Sequence, residues 1–500
     1  MPGPRPSPTS KGSALPDFVA RQFDHTQAVH DHRQLYNILE RGIRESVLAP
    51  GSRLPPSRQL AQTLGIARNT VVHVYQQLTL EGYLQAQVGR GTFVSEGASA
   101  TSLVWTAPSA VNAPTSPRPL SRRGRSLLSE AGAARLQWGA FTPGVPDVRL
   151  FPHETWRRLN ARVWRSPVPE LLSYATEAGD PHLRRSLAEY LQGTRGVVCT
   201  PEQVVITSGT QQSLHLIAQL LADPGDKVWL EDPGYWGARS VFRALGLKPI
   251  GIPLDGEGMA PPPSQWRQAP KLMFLSPSHQ YPTGVVMSHG RRRRLLDYAA
   301  TRASWVIEDD YDSEFRYGAR PLPALQGLDS HGRVIYLGTF SKTLYPALRL
   351  AYLVLPPDLV DPFSRALSEL YREGQTPQQA VLAQFLAQGH YTSHIRRMRS
   401  VYAARHDTLI ASIKHHFGSH LPVIGGDAGL HLVLGLPAHL DDVAVAQQVA
   451  SLKVITRPLS LYHLQQPAPS RGLLLGYGAV EENVIPANFA RLAHAVEQFL

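Results

Sequence analysis

The stretch VIYLGTFSK, residues 334–342, indicates the fold of most of this chain. Its apolar run Val334–Gly338 has the length and composition of a buried strand, and hydroxyl-bearing residues and Lys342 follow it. Four similar apolar runs precede it in the sequence: Gln203–Thr207, Lys227–Glu231, Lys271–Leu275 and Trp305–Glu308. Because helical segments separate these runs, we expect an α/β domain with a mostly parallel sheet.

The composition describes a folded protein with more than one domain. The chain has 500 residues, of which 43% are hydrophobic, whereas single cores stop growing near about 250–300 residues. No apolar run approaches the roughly 20 residues of a membrane span, and the N-terminus lacks the apolar segment of a secretory signal. A single cysteine, Cys199, excludes an internal disulfide and a cysteine-based zinc site, so we expect a cytoplasmic protein. We predict no metal site.

The positive charge is concentrated in the first quarter of the chain. Residues 1–137 hold 15 Lys and Arg against 8 Asp and Glu, a net charge of +7 out of +11 for the whole chain. This imbalance suggests a polyanionic partner such as nucleic acid. A basic surface that is merely solvated is the alternative at this point.

Two segments of biased composition divide the chain. Residues 1–16 contain five prolines and no periodicity, which predicts a disordered lead-in. Residues 97–137 are rich in Ala, Ser, Pro and Arg, which predicts a semi-extended linker whose arginines add charge rather than structure: Arg118, Arg122, Arg123 and Arg125. The folded domains are then residues 17–96 and 138–500.

Residues 33–95 predict three helices followed by a two-stranded β-hairpin. The third helix runs from Arg68 to about Leu80, and a tight turn at Gly65 separates it from the second. In a helix–turn–helix the start of this helix enters the DNA major groove. The predicted DNA contacts are therefore at its exposed N-terminal end, with two arginines outside it that set position on the phosphates: Arg68, Asn69, Thr70, His73, Arg58 and Arg90.

This segment resembles the GntR-type winged helix. The signature of that family matches at Pro50–Ala61, Arg68–Val71 and Glu81–Val94, and the resemblance implies a double-stranded DNA operator as partner. Pro56 and Ala67 stand where the family usually has serine, and the loss of a hydroxyl before Arg68 weakens the helix cap by about 1 kcal/mol. A small helical domain for protein contacts is the alternative.

Four motifs after strands predict a ligand site in the C-terminal domain. TSGTQQ (residues 207–212) opens a helix, where backbone N–H groups and the helix dipole can hold a phosphate. VIEDDY (306–311) puts acids at the end of a strand, where α/β proteins bind ligands. SPSHQYPTG (276–284) is a turn, and Lys342 lies among hydroxyls and near Arg349, which suits a Schiff base beside a phosphate. An ordinary capped helix and a solvated acidic loop are the alternatives for the first two.

Taken in order, the four motifs resemble those of fold-type-I, pyridoxal-phosphate-dependent aminotransferases, and the resemblance covers residues 138–500. It implies a mostly parallel sheet with a smaller α+β part, and pyridoxal 5′-phosphate (PLP) as a covalent aldimine with Lys342. Asp309 would hold the pyridine nitrogen, Tyr311 the ring oxygen, and Tyr235 would stack on the ring. Tyr174 would cross the interface of a homodimer. The remaining implied residues surround the phosphate: Ser208, Gly209, Thr210, Thr339, Ser341 and Arg349.

The sequence departs from that family at two places. Tyr281 stands where the family has the asparagine of its N-P-T-G motif, and His279 and Gln280 are the candidates to replace that asparagine. The arginine of the R-L-x-F motif, which binds the substrate carboxylate, is absent near the C-terminus. Arg457 and Arg471 are the candidates for an effector or substrate carboxylate.

A winged helix joined through a linker to an aminotransferase-like domain resembles the MocR/GabR family of transcription regulators. The resemblance implies a PLP-binding, DNA-binding homodimer that senses PLP or a small amine or amino acid through Lys342. Two alternatives stay open: an active aminotransferase that carries an accessory DNA-binding domain, and a DNA-binding protein whose C-terminal domain only dimerises.

Overall fold

The computed structural model describes residues 14–26, 29–96, 120–129, 139–174, 178–317, 322–372 and 374–500. The chain divides into two compact units, the first ending at Pro119 and the second running from Leu120 to Leu500. Residues 1–13 of the predicted lead-in lie outside the described residues, as do residues 97–119 and 130–137 of the predicted linker.

The first unit consists of four helices and a hairpin. Its elements are α1 Ala14–Gln22, α2 Asp31–Arg44, α3 Ser57–Leu64, α4 Arg68–Leu80, β1 Leu84–Gln87 and β2 Gly91–Val94. The two strands pair antiparallel, with Leu84 opposite Val94. Gly65 ends α3 in the left-handed conformation at φ +66°, which lets the chain turn at once into α4. These elements form the predicted winged helix–turn–helix.

Apolar side chains from all the helices build the core of the first unit. Leu35, Leu60, Val71 and Leu78 are fully buried, and they recur along α2, α3 and α4 at helical spacing. One helix was not predicted, because α1 begins at Ala14, inside the segment expected to be disordered. Its Val19 is fully buried in the same core, so the burial of apolar surface fixes a helix that the proline-rich composition did not indicate.

The second unit is an α/β structure with two sheets. Its helices are α5 Arg122–Ser129, α6 His153–Arg165, α7 Pro181–Arg195, α8 Thr210–Leu221, α9 Trp236–Ala244, α10 His289–Arg302, α11 Pro357–Tyr371, α12 Thr376–Ala387, α13 His390–Phe417, α14 Asp442–Ser451 and α15 Ile485–Glu497. The strands of the large sheet are β3 Val204–Thr207, β4 Lys227–Asp232, β5 Lys248–Asp255, β6 Gly258–Met259, β7 Leu272–Leu275, β8 Trp305–Asp310, β9 Val334–Thr339 and β10 Ala351–Val354. The strands of the small sheet are β11 Val423–Ile424, β12 His431–Leu436, β13 Arg457–Pro458 and β14 Arg471–Gly476.

The large sheet brings the ends of five strands to one edge. Its order is β3-β10-β9-β8-β7-β4-β5-β6, and β4, β5, β7, β8 and β9 run parallel. Both β3 and β9 are antiparallel to β10, so β3 has the direction of β9. The carboxyl ends of β3, β4, β7, β8 and β9 therefore share one edge, and each of the four predicted motifs follows one of these ends. The small sheet is antiparallel, and it is the predicted α+β part.

The predicted linker is partly helical, which corrects the expectation that its arginines add no structure. Arg122, Arg123 and Arg125 lie in α5. The Ser121 Oγ accepts the Gly124 N–H at 3.0 Å, which caps the start of this helix, and α5 packs against α9. The sequence prediction missed α5 because it weighed the local composition, whereas the cap and a distant helix stabilise the segment.

None of the helices in the described parts of the chain combines the length and the apolar character that crossing a membrane requires.

The core of the first unit yields a stability prediction with a control in the same helix. Leu78 is fully buried, whereas Leu80, two residues further along α4, is 89% exposed. We expect Leu78→Ala to destabilise this unit by about 2–5 kcal/mol, because truncation removes buried contacts and leaves a cavity. Leu80→Ala should change stability by less than about 0.5 kcal/mol. Hydrogen exchange of peptides from residues 29–96 of the full chain measures both, and equal loss of protection in the two variants would contradict the packing.

Candidate ligand site at the strand ends

A cavity of about 230 Å³ lies at the edge where the parallel strands end. Nine of the residues predicted from sequence line it together: Thr210, Tyr235, Asp309, Tyr311, Thr339, Ser341, Lys342, Arg349 and Arg457. They come from segments up to about 250 residues apart in the chain. Most follow the ends of strands in the large sheet, and Arg457 comes from β13 of the small sheet. The cavity combines one amine, two guanidinium groups, buried carboxyl groups and aromatic rings.

Lys342 lies three residues beyond β9, with its half-buried side chain on the cavity wall. Its Nζ donates to the Gly144 carbonyl oxygen at 2.8 Å. Burial lowers the pKa of this lysine, and the nearby carboxyl groups of Asp312 and Asp309 only partly oppose that shift. A lowered pKa increases the fraction of neutral amine at a given pH, so Lys342 is suited to attack a carbonyl carbon.

Asp309 is a buried carboxyl group near the end of β8, and one of its oxygens lacks a partner. The Oδ1 makes no hydrogen bond with any described residue, although it is inaccessible to solvent. Burial raises the pKa of Asp309 from 3.8 to about 8, and the negative charges of Asp310 and Asp312 add to that effect. A buried acceptor without a partner is costly, so this position favours a ligand that brings a cationic N–H group.

The turn before α8 and the side chain of Arg349 together form a site for an anion, which we call the anion cradle. Gly209 precedes α8 at φ +120°, and a Cβ there would lie 2.7 Å from Nη2 of Arg349. The absence of a side chain therefore lets the guanidinium group approach the N-terminus of the helix. Thr339 and Ser341 add hydroxyl groups to the same wall, 3.2 Å apart. Guanidinium, hydroxyls and a helix N-terminus together suit a phosphate.

Aromatic side chains close the cavity on a further side. The Tyr235 hydroxyl accepts from Nε2 of Gln211 at 2.9 Å, and burial raises the pKa of this tyrosine to about 12. The hydroxyls of Tyr281 and Tyr462 lie 3.1 Å apart, and the ring of Tyr281 meets that of Tyr235 edge-on. Trp236 lines the same space. An aromatic wall of this kind suits a flat ring as ligand.

Several lining residues were not among the predicted site residues. Gly144, Gln211, Asp312 and Tyr462 all line the cavity. Gln211 lies inside the TSGTQQ motif and Asp312 directly follows VIEDDY, so the neighbouring residues gave a usable signal. Gly144 and Tyr462 lie in loops far from any motif, and only the folded chain brings them to Lys342 and Tyr281.

The structure corrects the positions of two candidates for the absent asparagine. Gln280 is buried in its own turn, where it donates to the Pro233 carbonyl at 2.9 Å and accepts from the Thr283 N–H at 3.0 Å. It has no reach into the cavity. His279 does not line the cavity either; its Nδ1 lies 3.0 Å from the Tyr311 hydroxyl and 2.9 Å from Oδ1 of Asp312. The sequence predicted that His279 contacts the effector directly. Its position outside the cavity lining does not support that role.

Other predicted contacts also lie away from the cavity. Arg471 pairs with the buried Asp442 at 3.5 Å and is not among the lining residues, so its position does not support a role at an effector carboxylate. Ser208 and Gly209 are not among the lining residues, although Gly209 adjoins Arg349, and the Ser208 N–H donates to the Gln212 side chain. Tyr174 is 78% exposed on the surface of the second unit.

The predicted DNA contacts are mostly exposed on the first unit. Five of the six side chains are exposed and Thr70 is half-buried: Arg58, Arg68, Asn69, His73 and Arg90 are the exposed ones. Gly89 at φ +75° and Gly91 at φ +114° form the tight tip that presents Arg90. Ala67 caps α4 without any side-chain hydrogen bond, as its lack of a hydroxyl predicted.

Both units match known families. Residues 147–472 match the family described as aminotransferase class I and II, and residues 32–94 match the gntR family of bacterial regulatory proteins. The chain is 39% identical over 460 residues to the probable rhizopine catabolism regulatory protein MocR of Rhizobium meliloti, with 92% of each chain covered. It is 30% identical over 470 residues to the pyridoxine biosynthesis transcriptional regulator PdxR of Corynebacterium glutamicum, with 93% of this chain and 95% of that one covered.

A solved structure is similar to the second unit. The kynurenine aminotransferase of Pyrococcus horikoshii, in complex with PMP, superimposes with a TM-score of 0.67 at 27% identity. The match covers 77% of this chain and 96% of that one. The second unit thus has the fold of an aminotransferase, and the relatives that span almost the whole chain are transcription regulators.

The raised pKa of Asp309 yields a prediction for protein freed of small molecules by dialysis. The folded state keeps a proton on this group up to about pH 8, whereas the unfolded chain releases it near 3.8. Its contribution to stability is therefore complete at acid pH and is lost as the pH rises through that window. Asp309→Asn should remove this loss, so its thermal midpoint relative to wild type should increase between about pH 5 and about pH 8.

The matched control is Asp361→Asn, since the Asp361 side chain on α11 is 79% exposed. Its difference from wild type should stay constant over the same range. A constant difference for Asp309→Asn as well would contradict the burial of an unpartnered carboxyl group.

Proposed function

The chain belongs to the MocR-type transcriptional regulators, in which a GntR-family helix–turn–helix domain precedes a class I and II aminotransferase domain, and on that premise we propose that it is a PLP-dependent DNA-binding switch. The first unit binds an operator in double-stranded DNA. The second unit holds PLP covalently at Lys342 and responds to PLP itself or to a small amine or amino acid. Membership of the aminotransferase family implies PLP as the cofactor.

One observation carries the proposal: three features that PLP requires meet in a single cavity. The amine of Lys342, whose pKa is lowered, suits the aldehyde of PLP. The Oδ1 of Asp309, which has no hydrogen-bond partner among the described residues, suits a protonated pyridine nitrogen. The cradle of Gly209 and Arg349 suits the phosphate. When bound, PLP supplies an electrophilic carbon for amines and an electron-withdrawing ring.

The residues of the chain give each part of the cofactor a separate task. Arg349, Thr339 and Ser341 would hold the phosphate and fix the ring's direction, and Tyr235 would cover one face of the ring. Asp309 would accept a hydrogen bond from the protonated ring nitrogen. The resulting ion pair would offset the cost of burying the carboxylate. Tyr311 would hold the ring oxygen. The Nζ of Lys342 now donates to the Gly144 carbonyl oxygen at 2.8 Å, and it would give up this hydrogen bond on binding PLP.

Arg457 is our candidate for the carboxylate of an amino-acid effector. It lines the cavity from β13 near Tyr281 and Tyr462. Burial raises the pKa of both hydroxyls, and the positive charge of Arg457 partly opposes that rise. The cavity walls are otherwise acidic or aromatic on this side, so a guanidinium group there favours an anionic end on the effector. An amine without a carboxylate would make no use of it.

For the switch to be allosteric, the two ligand states must differ in how they support DNA binding. We propose that the second unit dimerises and that Tyr174 contributes to the partner's site. The surface around it supports this, since apolar side chains are exposed on the same segment of α6 and the loop after it: Trp164, Val168 and Leu172. A dimer would also present two winged helices to a two-part operator.

Transaminase turnover is a second candidate function. It is favoured by the lowered pKa of Lys342 and by the 27% identity to a solved kynurenine aminotransferase. Repeated turnover of an amino acid with a 2-oxo acid would establish it. The exchange of the usual asparagine for Tyr281 separates this site from that of free-standing enzymes, which supports regulation as the main function.

The anion cradle yields a prediction with a matched glycine control. Gly209→Ala places a methyl group against Arg349, whereas Gly225, at φ +100°, has no atom within 4 Å of a Cβ. Both substitutions strain the backbone, but only Gly209→Ala displaces the guanidinium group. We expect Gly209→Ala to weaken PLP binding by about tenfold or more and Gly225→Ala to leave it unchanged. Equilibrium dialysis measures both, and equal affinities would argue against the cradle.

The regulatory step is tested on operator fragments selected from genomic DNA by the full chain. At a stated salt concentration, PLP should change the operator affinity of wild type by roughly 5–150-fold and should leave that of Lys342→Ala unchanged. Arg68→Ala should bind weakly in both states, whereas Arg44→Ala, whose side chain pairs with Glu40 on α2, is the control. If PLP and amines leave the affinity and footprint of wild type unaltered, the switch is wrong.

A further inference from the structure

Beside the cavity, three side chains form a hydrogen-bonded chain, and two of them, Tyr311 and Asp312, line the cavity. Asp312 Oδ1 lies 2.9 Å from Nδ1 of His279, and the same Nδ1 lies 3.0 Å from the hydroxyl of Tyr311. His279 is 3% exposed, Asp312 is 1% exposed, and Tyr311 lines the cavity. The rings of His279 and Tyr311 stack at 5.8 Å, so the geometry of the pair is fixed on two sides.

We propose that His279 and Asp312 are positioning residues that direct the hydroxyl proton of Tyr311 into the cavity. The inference rests on the proposed function, because the acceptor for that proton would be the ring oxygen of PLP. It assigns a task to His279 and Asp312, which would act on the ligand through the hydroxyl of Tyr311.

The positions of the acceptors determine where the imidazole proton lies. A carboxylate only accepts hydrogen bonds, so Asp312 favours a proton on Nδ1 of His279. The Nε2 of His279 is buried and has no hydrogen-bond partner among the described residues, so a second proton there would be unsatisfied. A tautomer with its proton on Nδ1 is therefore favoured.

This tautomer fixes the direction of the phenol proton. An Nδ1 that carries a proton cannot accept from Tyr311, so the tyrosine oxygen is at most a second acceptor of that N–H. The tyrosine proton must then point elsewhere, and the open side of its hydroxyl is the cavity. In the opposite tautomer Nδ1 would accept the phenol proton, and Tyr311 would offer the cavity only lone pairs.

The imidazole group that packs against His279 belongs to His431. His431 lies 5.5 Å away by ring centroids, and its Nε2–H donates to the Pro282 carbonyl at 3.1 Å. Burial lowers the pKa of His431 to about 3, so this neighbour adds no positive charge. Tyr281 packs on His431 from the cavity side.

The backbone beside His279 and Asp312 leaves room for both side chains only because residue 429 is a glycine. Gly429 lies beside both side chains at φ +78°, and a Cβ there would collide with the Cε1 of His279 and the Oδ2 of Asp312. Its carbonyl also accepts from the hydroxyls of Tyr317 and Tyr477, which hold this strand connection in place. A glycine under such close packing is the feature expected of a built site rather than of a chance contact.

The test is a double-mutant cycle on the full chain. Asp312→Asn keeps the size of the side chain but lets an amide N–H face Nδ1, which favours the opposite tautomer. We expect it to weaken PLP binding by about tenfold and to shift the visible absorption of the bound cofactor. In a Tyr311→Phe background the same substitution should have no further effect, because the hydroxyl through which it acts is gone.

His279→Phe is the second variant, since its ring preserves the stacking on Tyr311 but lacks Nδ1. It should weaken PLP binding less than Asp312→Asn does, because no imidazole acceptor then competes for the phenol proton, and its effect should likewise vanish with Tyr311→Phe. The thermal midpoint of each dialysed variant is recorded, so that a loss of folding is seen independently of cofactor binding.

The inference is overturned if both variants bind PLP with unchanged affinity and absorption. It is also overturned if their effects persist undiminished in the Tyr311→Phe background, which would mark a purely structural pair. If wild type itself binds no PLP, the proposed function fails and takes this inference with it. Wild-type binding that is indifferent to Asp312 and His279 defeats the inference alone.

Discussion

The parallel pairing of β8 with β9 is the constraint on which the candidate site depends. In this register Asp309 lies opposite Leu337, five residues before Lys342, so the carboxyl group and the amine reach the same edge of the sheet. The neighbouring strands β4 and β7 run in the same direction and add the turns that carry Tyr235 and Tyr281. Antiparallel pairing at any of these positions would send one of the groups to the far edge.

Burial then determines the chemistry of the groups that the sheet assembles. The pKa of Glu231 rises to about 8 and that of Glu308 to about 7, in each case first through burial, as happens at Asp309. Beside them Arg195 compensates Asp310, its Nε donating to the carboxylate at 2.7 Å. Among the described residues, the acidic side chains nearest the cavity therefore lack an arginine partner of the kind that Asp310 has. A cationic ring nitrogen at Asp309 would complete the charge balance.

The sequence was sufficient for the two-domain organisation and for the residues that follow strands. Apolar runs marked β3, β4, β7, β8 and β9, and the chemistry of Lys342 and Asp309 followed from their places at the strand ends. Residues in loops escaped prediction, because Gly144 and Tyr462 reach the cavity through long-range packing that leaves no local pattern. The prediction for Arg471 failed for a related reason. Its place near the C-terminus suggested a carboxylate-binding arginine, whereas in the fold it pairs with Asp442. The helices α1 and α5 depend on tertiary contacts in the same way.

The proposed switch requires a covalent link between Lys342 and PLP. Full-length protein is incubated with PLP, treated with borohydride to fix any imine, digested, and mapped by mass spectrometry. We predict a single phosphopyridoxyl label on the peptide that contains Lys342, and no such label in Asp309→Ala at the same low concentration of PLP. A label on other lysines with Lys342 unmodified, or wild-type protein without any label, would contradict the account.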